Sequence, residues 1–374
     1  MKRFSATDQI GGESRLFFSS KRYGFPVLLI ALSVVLTAMG NQNLVSATFN
    51  SKFLQLPSHQ LNWSIIGFSA VFLTLFLFSF FRLERLWPLF LMILFGSLGA
   101  VLRFGEEINY SMRWFETPFG SIQPSEFAKP SMVIVLAVLF DKLRPGFYFL
   151  AIPASITLGS AFLIFIEPDF GTAFIFIFLF FVLYWMNVKD RGQLFCLLLA
   201  SGFLGAFLWF FGLRDYQKAR IIAFLYPEKA PDTYFHTQQS ITMVGSGGLY
   251  GKGYLQGPGN IYGYIPADHT DFVLAVFAEE RGFLGVCFFM ALWVVLLLAI
   301  LCEAQRKVGF ARNLLLGVFS VFFFQTFFNI AMVLGVAPVT GIPLPFFTYG
   351  GSSMLANGIM IGLALYAWNK GETR

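Results

Sequence analysis

Charged side chains are scarce in this 374-residue chain, where Asp, Glu, Lys and Arg together make up 12% of the residues. Hydrophobic residues make up 57%, and Phe alone occurs 50 times. The mean hydropathy is +0.69, and apolar runs reach about 20 residues, which is more than the core of a water-soluble domain needs. The composition therefore excludes an ordinary soluble protein and predicts a chain that crosses a membrane many times.

Cysteine and histidine are also rare, with three of each in the chain. The cysteines lie inside apolar runs, which argues against a disulfide framework and against a thiolate metal site. The histidines are scattered, which favours roles in loops or hydrogen bonds over metal ligation. These residues are Cys196, Cys287, Cys302, His59, His236 and His269.

Ten apolar runs predict ten transmembrane helices, so the expected fold class is an all-α polytopic bundle. The fourth run is the weakest. The runs are Phe25–Gly40, Ile65–Phe81, Leu86–Leu102, Phe127–Phe140, Phe147–Ile166, Thr172–Val188, Leu194–Leu213, Phe283–Cys302, Leu314–Val336 and Met354–Trp368.

The basic residues indicate the orientation of the bundle. The net charge is +6, and 16 of the 26 Lys and Arg residues fall in short segments that share one side if the N-terminus is cytoplasmic. This bias predicts a multi-pass protein of the cytoplasmic (inner) membrane with both termini cytoplasmic, and it explains the charge without nucleic acid. The expected organisation is a tail at 1–24, one membrane domain at 25–368 and a tail at 369–374. The expected extracytoplasmic loops are 41–64, 103–126, 214–270 and 337–353, the third joining helices 7 and 8.

Any chemistry is expected on the outer side, because the cytoplasmic connections are too short for a nucleotide-binding domain. The glycine-rich stretch GSGGLYGKG, at 245–253, superficially resembles a phosphate loop. It lacks a preceding strand and a Ser or Thr after its lysine, so a Walker motif is excluded.

The external segment RWFETPFGSIQPSEFAKP carries several polar candidates. Ser125 can cap the fourth helix, and Glu126 and Lys129 fall on one helix face. Because a lysine within the membrane is unfavourable unless paired, an interior ion pair is expected, either structural or part of a substrate groove. Arg113 and Trp114 could hold a phosphate and a sugar or lipid face, or Trp114 could simply anchor the chain at the interface.

Three further external segments are polar. The turn EPDFGT, at 167–172, brings Asp169 to the outer surface, which tight-turn geometry alone can explain. The basic residues of the 214–270 loop either collect an anionic head group or are only solvated. The stretch GVAPVTGIPLPFFTYGGSS, at 335–353, is rich in Pro and Gly, so it is expected to wall a polar cavity.

The segment PADHTDFVLAVFAEERG, at 266–282, concentrates acidic residues in an apolar setting. A straight helix from Phe272 to Cys302 would measure about 46 Å against a hydrocarbon core of about 30 Å. The membrane is therefore expected to begin after Gly282, which can break the helix. Thr270 or Asp268 can cap this helix, which places Asp271 in its first turn. The positive end of the helix dipole favours the carboxylate form of Asp271 there.

Five motifs occur in order between Arg113 and Ser353: RW with QPSEFAK, PDFGTA, QSITMVGSGGLYGKG, HTDFVLAVFAEERG, and NIAMVLGVAPVTGIPLPFFTYGGSS. Together they resemble the SEDS family (shape, elongation, division and sporulation), polytopic glycosyltransferases that polymerise peptidoglycan from lipid II. GKGYLQG and FHTQQS are more similar to the elongation-type members than to the division-type members. Glu167 stands where the family commonly has Gln.

The resemblance implies a role for each matching residue. Asp271 would be the catalytic general base, and basic residues would stabilise the departing lipid diphosphate. The implied substrate-binding residues are Arg113, Trp114, Glu126, Lys129, Arg220, Gln239, Lys252 and His269. The implied structural or groove-lining residues are Asp169, Thr172, Glu279, Glu280, Pro343, Pro345 and Ser352.

The resemblance also implies a class B penicillin-binding protein, a transpeptidase, as partner. A divalent cation, Mg²⁺ or Mn²⁺, is plausible at the substrate phosphates, although the sequence has no self-sufficient metal cluster. Three alternatives stay open. The chain could be a division-type member of the same family. It could be a lipid II flippase or other transporter, because broken helices also mark transporters, or a silent scaffold for the partner.

Overall fold

The computed structural model describes residues 24–49, 54–108, 111–117, 120–188, 215–261 and 271–370, with the single positions 192, 202, 212 and 213. The helices of the first half are α1 (Gly24–Thr48), α2 (Leu56–Phe80), α3 (Trp87–Phe104), α4 (Pro124–Lys142), α5 (Phe147–Ile166) and α6 (Phe170–Asn187). The helices of the second half are α7 (Asp215–Leu225), α8 (Pro231–Ser246), α9 (Pro258–Ile261), α10 (Val273–Arg306), α11 (Gly309–Val333) and α12 (Gly351–Asn369).

The long helices match the apolar runs of the sequence. In the described part of the chain, seven helices are long and apolar enough to cross a membrane, namely α1, α2, α3, α5, α6, α10 and α11. The runs predicted at 127–140 and 354–368 are also helical, as parts of α4 and α12. The fold is thus an all-α polytopic membrane protein. The run at 194–213 lies almost wholly outside the described residues, so the count of ten spans stays a prediction.

Two of the predicted external loops contain more regular structure than expected. Within the predicted loop 41–64, α1 continues to Thr48 and α2 begins at Leu56, so most of this segment is helical. The 103–126 segment contains β1 (Glu106–Ile108), β2 (Ser111–Thr117) and β3 (Gly120–Ile122), paired antiparallel in the order β1-β2-β3. This small sheet satisfies backbone groups within the segment and presents Arg113 and Trp114 on β2.

Helix α4 lies at the centre of the bundle. Every residue from Pro124 to Phe140 is buried except Phe127. It packs against α3, α6, α11 and α12, and against α5 through ring contacts such as Phe140 with Phe149. The polar residues at its N-terminal end are therefore enclosed by protein rather than by lipid.

Helices α2 and α12 approach each other closely through glycines. A Cβ atom placed on Gly358 would overlap the backbone of Gly67, and one on Gly67 would lie 2.7 Å from the carbonyl oxygen of Met354. Small residues allow such close backbone packing between membrane helices, where dispersion contacts drive association. This contact fixes α12, and with it the segment that precedes it.

Helix α10 changes direction at Gly282, which is the break that the sequence allows at this glycine. Gly282 has φ +66° and ψ −170°, inside a helix that otherwise runs from Val273 to Arg306. This combination of angles is nearly exclusive to glycine. The break separates a short N-terminal part of α10, which carries Glu279 and Glu280, from the apolar span.

Candidate active site

Asp271 lies in the turn that leads into α10, and its side chain is half-buried. Helix α10 begins at Val273, with Phe272 at the N-cap position and no side-chain cap. The prediction that Asp271 occupies the first helical turn was therefore wrong, because the turn at 271–272 places it just before the helix. Thr270, Asp268 and the predicted substrate-binding His269 lie outside the described residues.

The segment between α11 and α12, residues 334–350, lies beside Asp271. Gly341 has φ +74°, and a Cβ atom placed on it would lie 3.6 Å from a carboxylate oxygen of Asp271. Part of the segment is buried, including Ile342 and Leu344. Its non-helical backbone is thus held in protein next to Asp271, and the polar cavity that the sequence predicts here stays a prediction.

The same segment also contacts the first turn of α6, directly after Asp169. A Cβ atom on Gly171 would overlap the side chain of Ile342 and would lie 3.5 Å from the carbonyl oxygen of Thr340. Gly171 is the residue that permits this contact. Residues 340–342 therefore stand between the turn of Asp271 and the turn of Asp169, and they connect two motifs that are distant in the sequence.

Asp169 accepts hydrogen bonds from several side chains. Its Oδ2 accepts from Ser125 Oγ at 3.1 Å, from Thr172 Oγ1 at 3.0 Å and from Gln123 Nε2 at 3.3 Å. Its Oδ1 accepts from the backbone N–H of Thr172 at 3.2 Å, so Asp169 caps α6. The prediction that Ser125 caps α4 was wrong, because α4 begins at Pro124 and Gln123 occupies the N-cap position.

Arg113 holds the turn that precedes Asp169. Its Nε donates to the carbonyl oxygen of Glu167 at 2.8 Å, and its Nη2 donates to the carbonyl oxygen of Pro168. The Glu167 side chain is 1% exposed, and among the described residues neither of its carboxyl oxygens has a hydrogen-bond partner. Burial, and then the charge of Asp169, raise the pKa of Glu167 to about 8, although Arg113 opposes the shift. Glu167 is therefore mostly protonated at neutral pH.

Glu126 and Lys129 form the ion pair that the sequence predicts. Lys129 Nζ lies 2.7 Å from Glu126 Oε2, and the two side chains are 2% and 3% exposed. Apart from this pair, no described residue hydrogen-bonds Lys129 Nζ. A lysine ammonium has three donors, so Lys129 retains capacity for water or for an anionic group. The pair is confirmed, and its role in substrate binding stays a prediction.

Glu279 anchors the segment that joins α8 to α9. Its Oε1 accepts from Lys252 Nζ at 3.0 Å and from Ser246 Oγ at 3.0 Å, and its Oε2 accepts from the backbone of Gly259 at 3.1 Å. Glu279 is buried, whereas the Lys252 side chain is 31% exposed. The predicted structural role of Glu279 agrees with these contacts, and Lys252 is already engaged by a carboxylate.

Glu280 connects α10 to α1 and to the segment between α8 and α9. It accepts from Ser46 Oγ and, at 3.1 Å, from the backbone N–H of Leu255. Next to it, the backbone N–H of Phe283 donates to the carbonyl oxygen of Gly248 at 2.9 Å. The glycine-rich stretch GSGGLYGKG is thus held against the break in α10, which gives it a structural role.

Two of the remaining predicted residues, Arg220 and Ser352, bind backbone groups of other segments. Arg220 Nη1 donates to the carbonyl oxygen of Val339 at 3.3 Å. Ser352 Oγ accepts from the backbone N–H of Gln123 at 3.0 Å, which ties α12 to α4. Pro345 is buried, whereas Trp114, Gln239 and Pro343 are half-buried.

Asn329 was not predicted from the sequence. Its side-chain amide donates to the carbonyl oxygen of Asp271 at 3.2 Å and to that of Ile342 at 2.8 Å. The signal that could have revealed it is an uncharged amide inside the apolar run Leu314–Val336, because polar residues within a membrane span are unfavourable without a partner.

Known proteins match this chain over most of its length. The FtsW/RodA/SpoVE family, described as cell cycle protein, matches residues 22–370. The chain is 34% identical over 273 residues to peptidoglycan glycosyltransferase MrdB of Escherichia coli K12, covering 72% of this chain and 73% of the relative. It is 35% identical over 317 residues to MrdB of Helicobacter pylori, covering 80% and 79% of the two chains. It is 35% identical over 271 residues to the probable peptidoglycan glycosyltransferase FtsW of Synechocystis, covering 69% and 66%.

Solved structures show the same fold. A chain from a peptidoglycan synthase complex that coordinates polymerization and crosslinking superposes with a TM-score of 0.78 at 30% identity, covering 91% of this chain and 96% of that chain. The rod shape determining protein RodA of Thermus thermophilus superposes with a TM-score of 0.64 at 29% identity, covering 91% and 95%.

Proposed function

This chain belongs to the FtsW/RodA/SpoVE family of cell cycle proteins, and from this membership we propose that it is a peptidoglycan glycosyltransferase that polymerises lipid II for cell elongation and shape. The site faces the outer side of the cytoplasmic membrane. One observation carries the mechanism: Asp271 is held half-buried beside Gly341, where the segment 340–342 meets the turn of Asp169.

Asp271 acts as the general base in this reaction. The 4-hydroxyl oxygen of one sugar attacks the anomeric carbon of another, and the bond from that carbon to the lipid diphosphate breaks. The hydroxyl proton passes to the Asp271 carboxylate, and the diphosphate leaves with the bonding electrons. A well-placed base of this kind is worth about a hundred- to ten-thousand-fold in rate.

The cations near the site stabilise the departing diphosphate. Lys129 is the strongest candidate on structural grounds, because its buried ammonium has donors left beyond the Glu126 pair. Arg113 holds two backbone carbonyl oxygens and can still offer its remaining N–H groups. Arg220 and Lys252 are weaker candidates for this role. Arg220 already donates to the carbonyl oxygen of Val339, and Lys252 already donates to the Glu279 carboxylate.

A divalent cation would bind together with the substrate. Among the described residues, no group of three or more His, Cys, Asp and Glu side chains could hold a metal ion. Asp169 is already saturated by neighbouring donors. Mg²⁺ commonly binds substrate phosphates with only one or two carboxylates, so the lipid diphosphate would supply most of its ligands.

A class B penicillin-binding protein is the proposed partner. The similar chain in the peptidoglycan synthase complex supports this proposal, because that complex couples polymerization to crosslinking. We propose that the protein lies in the cytoplasmic membrane with both termini in the cytoplasm. The distribution of Lys and Arg along the chain supports this orientation.

Purified protein in lipid nanodiscs, supplied with labelled lipid II, tests the function directly. We expect glycan chains from the unchanged protein and none above background from Asp271→Ala. Asp232→Ala, which removes an exposed carboxylate on α8, is the matched control and should polymerise normally. The assay is run with and without the partner and with and without a chelator.

The same preparation in vesicles separates the alternatives. Transbilayer movement of lipid II without any polymer would indicate a transporter instead. Full polymerisation by Asp271→Ala would remove Asp271 from the mechanism while leaving the enzyme class in place.

A further inference from the structure

The side-chain amide of Asn329 joins the turn of Asp271 to the segment that faces it. It donates to the carbonyl oxygen of Asp271, 58 residues away in sequence, and to the carbonyl oxygen of Ile342. Both partners are acceptors, so the NH₂ end of the amide must face them, and the orientation of the side chain is determined. One residue thus spans the two walls of the proposed site.

The other end of the same amide is not satisfied. Asn329 is 0% exposed, and among the described residues its Oδ1 has no hydrogen-bond partner. Burying an unpaired carbonyl oxygen costs about 1–3 kcal/mol. An apolar side chain of similar size would avoid this cost but would leave the carbonyl oxygens of Asp271 and Ile342 without this donor, so the amide is explained by the two backbone groups that it joins.

The contact reaches the backbone of Asp271 rather than its carboxylate. Asn329 therefore fixes the position of the Asp271 backbone. The second bond fixes Ile342, next to Gly341, whose Cα lies beside that carboxylate. The amide thereby sets the separation between the base and the opposing segment.

We propose that Asn329 is a positioning residue, which holds Asp271 at the distance from residues 341–342 that the reaction needs. The proposal rests on the proposed function, in which Asp271 is the base. A displacement of about 1 Å at a reacting group can reduce the rate about 100-fold, so even a local loss of this bridge should be measurable.

The test compares Asn329→Asp with Asn313→Asp. The first substitution keeps the shape of the side chain and removes the NH₂ group. The control lies on the same helix, is 1% exposed and likewise donates to a backbone carbonyl oxygen, that of Ala137 at 3.4 Å, near the other end of the helix. For each variant, kcat and KM for lipid II and the melting temperature are measured in nanodiscs.

We expect Asn329→Asp to lower kcat about 10- to 100-fold with KM changed less than about threefold, because a misplaced base impairs the chemical step and not binding. Asn313→Asp should lower the melting temperature by a similar amount and leave kcat near that of the unchanged protein. If Asn329→Asp does not fold, Asn329→Ala is measured in the same way, since it removes the donors without adding charge.

Three results would overturn the proposal: an unchanged kcat in a folded Asn329 variant, a parallel loss of kcat in the Asn313 control, or failure of both Asn329 variants to fold. Asp271→Ala is included in the series. If that variant polymerises, the assignment of the base fails. If it is silent while Asn329→Asp is fully active, only the positioning role fails.

Discussion

The ammonium of Lys252 lies 3.0 Å from a carboxylate oxygen of Glu279. This bond joins the glycine-rich segment after α8 to the N-terminal part of α10, before the break at Gly282. Helix α10 begins two residues after Asp271. It also gives Lys252 a structural partner, so a loss of activity in a Lys252 variant has two possible causes that stability measurements can separate.

Replacement of Lys252 by Met should destabilise the protein by about 1–3 kcal/mol. The remaining Glu279 carboxylate is buried and would lose its cation, but partial exposure of Lys252 keeps the effect below the 3–5 kcal/mol of fully buried pairs. Glu279→Gln combined with Lys252→Met should recover part of the loss. Melting temperatures and proteolysis of the 246–259 segment measure this, and a purely catalytic Lys252 would leave both unchanged.

Replacement of Gly282 by Ala should lower stability strongly. The backbone of Gly282 lies in a region that only glycine enters easily, and a Cβ atom there would overlap the backbone of Gly251. Such strain costs about 1–3 kcal/mol before any overlap is counted. Gly99→Ala, in α3, is the control because its Cβ would meet nothing within 4 Å. Equal melting temperatures for the two variants would contradict the break at Gly282.

Stability should fall with rising pH because of Glu167. Its pKa is raised from 4.5 to about 8 in the folded protein, so the folded state binds this proton more tightly than the unfolded chain does. The stabilising contribution is complete below about pH 4.5 and is lost as the pH passes through about 8. The stability of the unchanged protein relative to Glu167→Gln should therefore decrease between pH 5 and pH 9 by more than about 1.4 kcal/mol, the equivalent of one pKa unit. A difference that is independent of pH would show that Glu167 titrates normally.

Removal of one partner of the Glu126–Lys129 pair should be strongly destabilising. Either Lys129→Met or Glu126→Gln leaves a group in a site that is only 2–3% exposed without its partner, at a cost of about 3–5 kcal/mol for the remaining charge. The double variant should regain much of that stability. If Lys129 also binds the diphosphate, the double variant will be stable but inactive in polymerisation. Recovery of both stability and activity would restrict the pair to a structural role.

Local features of the sequence predicted much of this protein. Apolar runs longer than a soluble core requires gave the membrane class and the approximate limits of the long helices. The spacing of three residues between Glu126 and Lys129 was sufficient to predict their ion pair, because residues at that spacing share a helix face. Gly282 was recognisable as a break because the helix around it is longer than a bilayer is thick.

The site itself depends on contacts between distant segments, which no local pattern contains. Asn329 reaches Asp271 and Ile342, Ser125 and Gln123 reach Asp169, and Lys252 reaches Glu279 only once the helices have packed. The start of α10 after Asp271, rather than at it, is likewise decided by the turn at 271–272. The sequence by itself determined the helices and the residues able to do chemistry, because these follow from hydropathy, charge and spacing along the chain. Only the tertiary structure decided which of those residues face one another, because burial and hydrogen-bond geometry between helices select the partners.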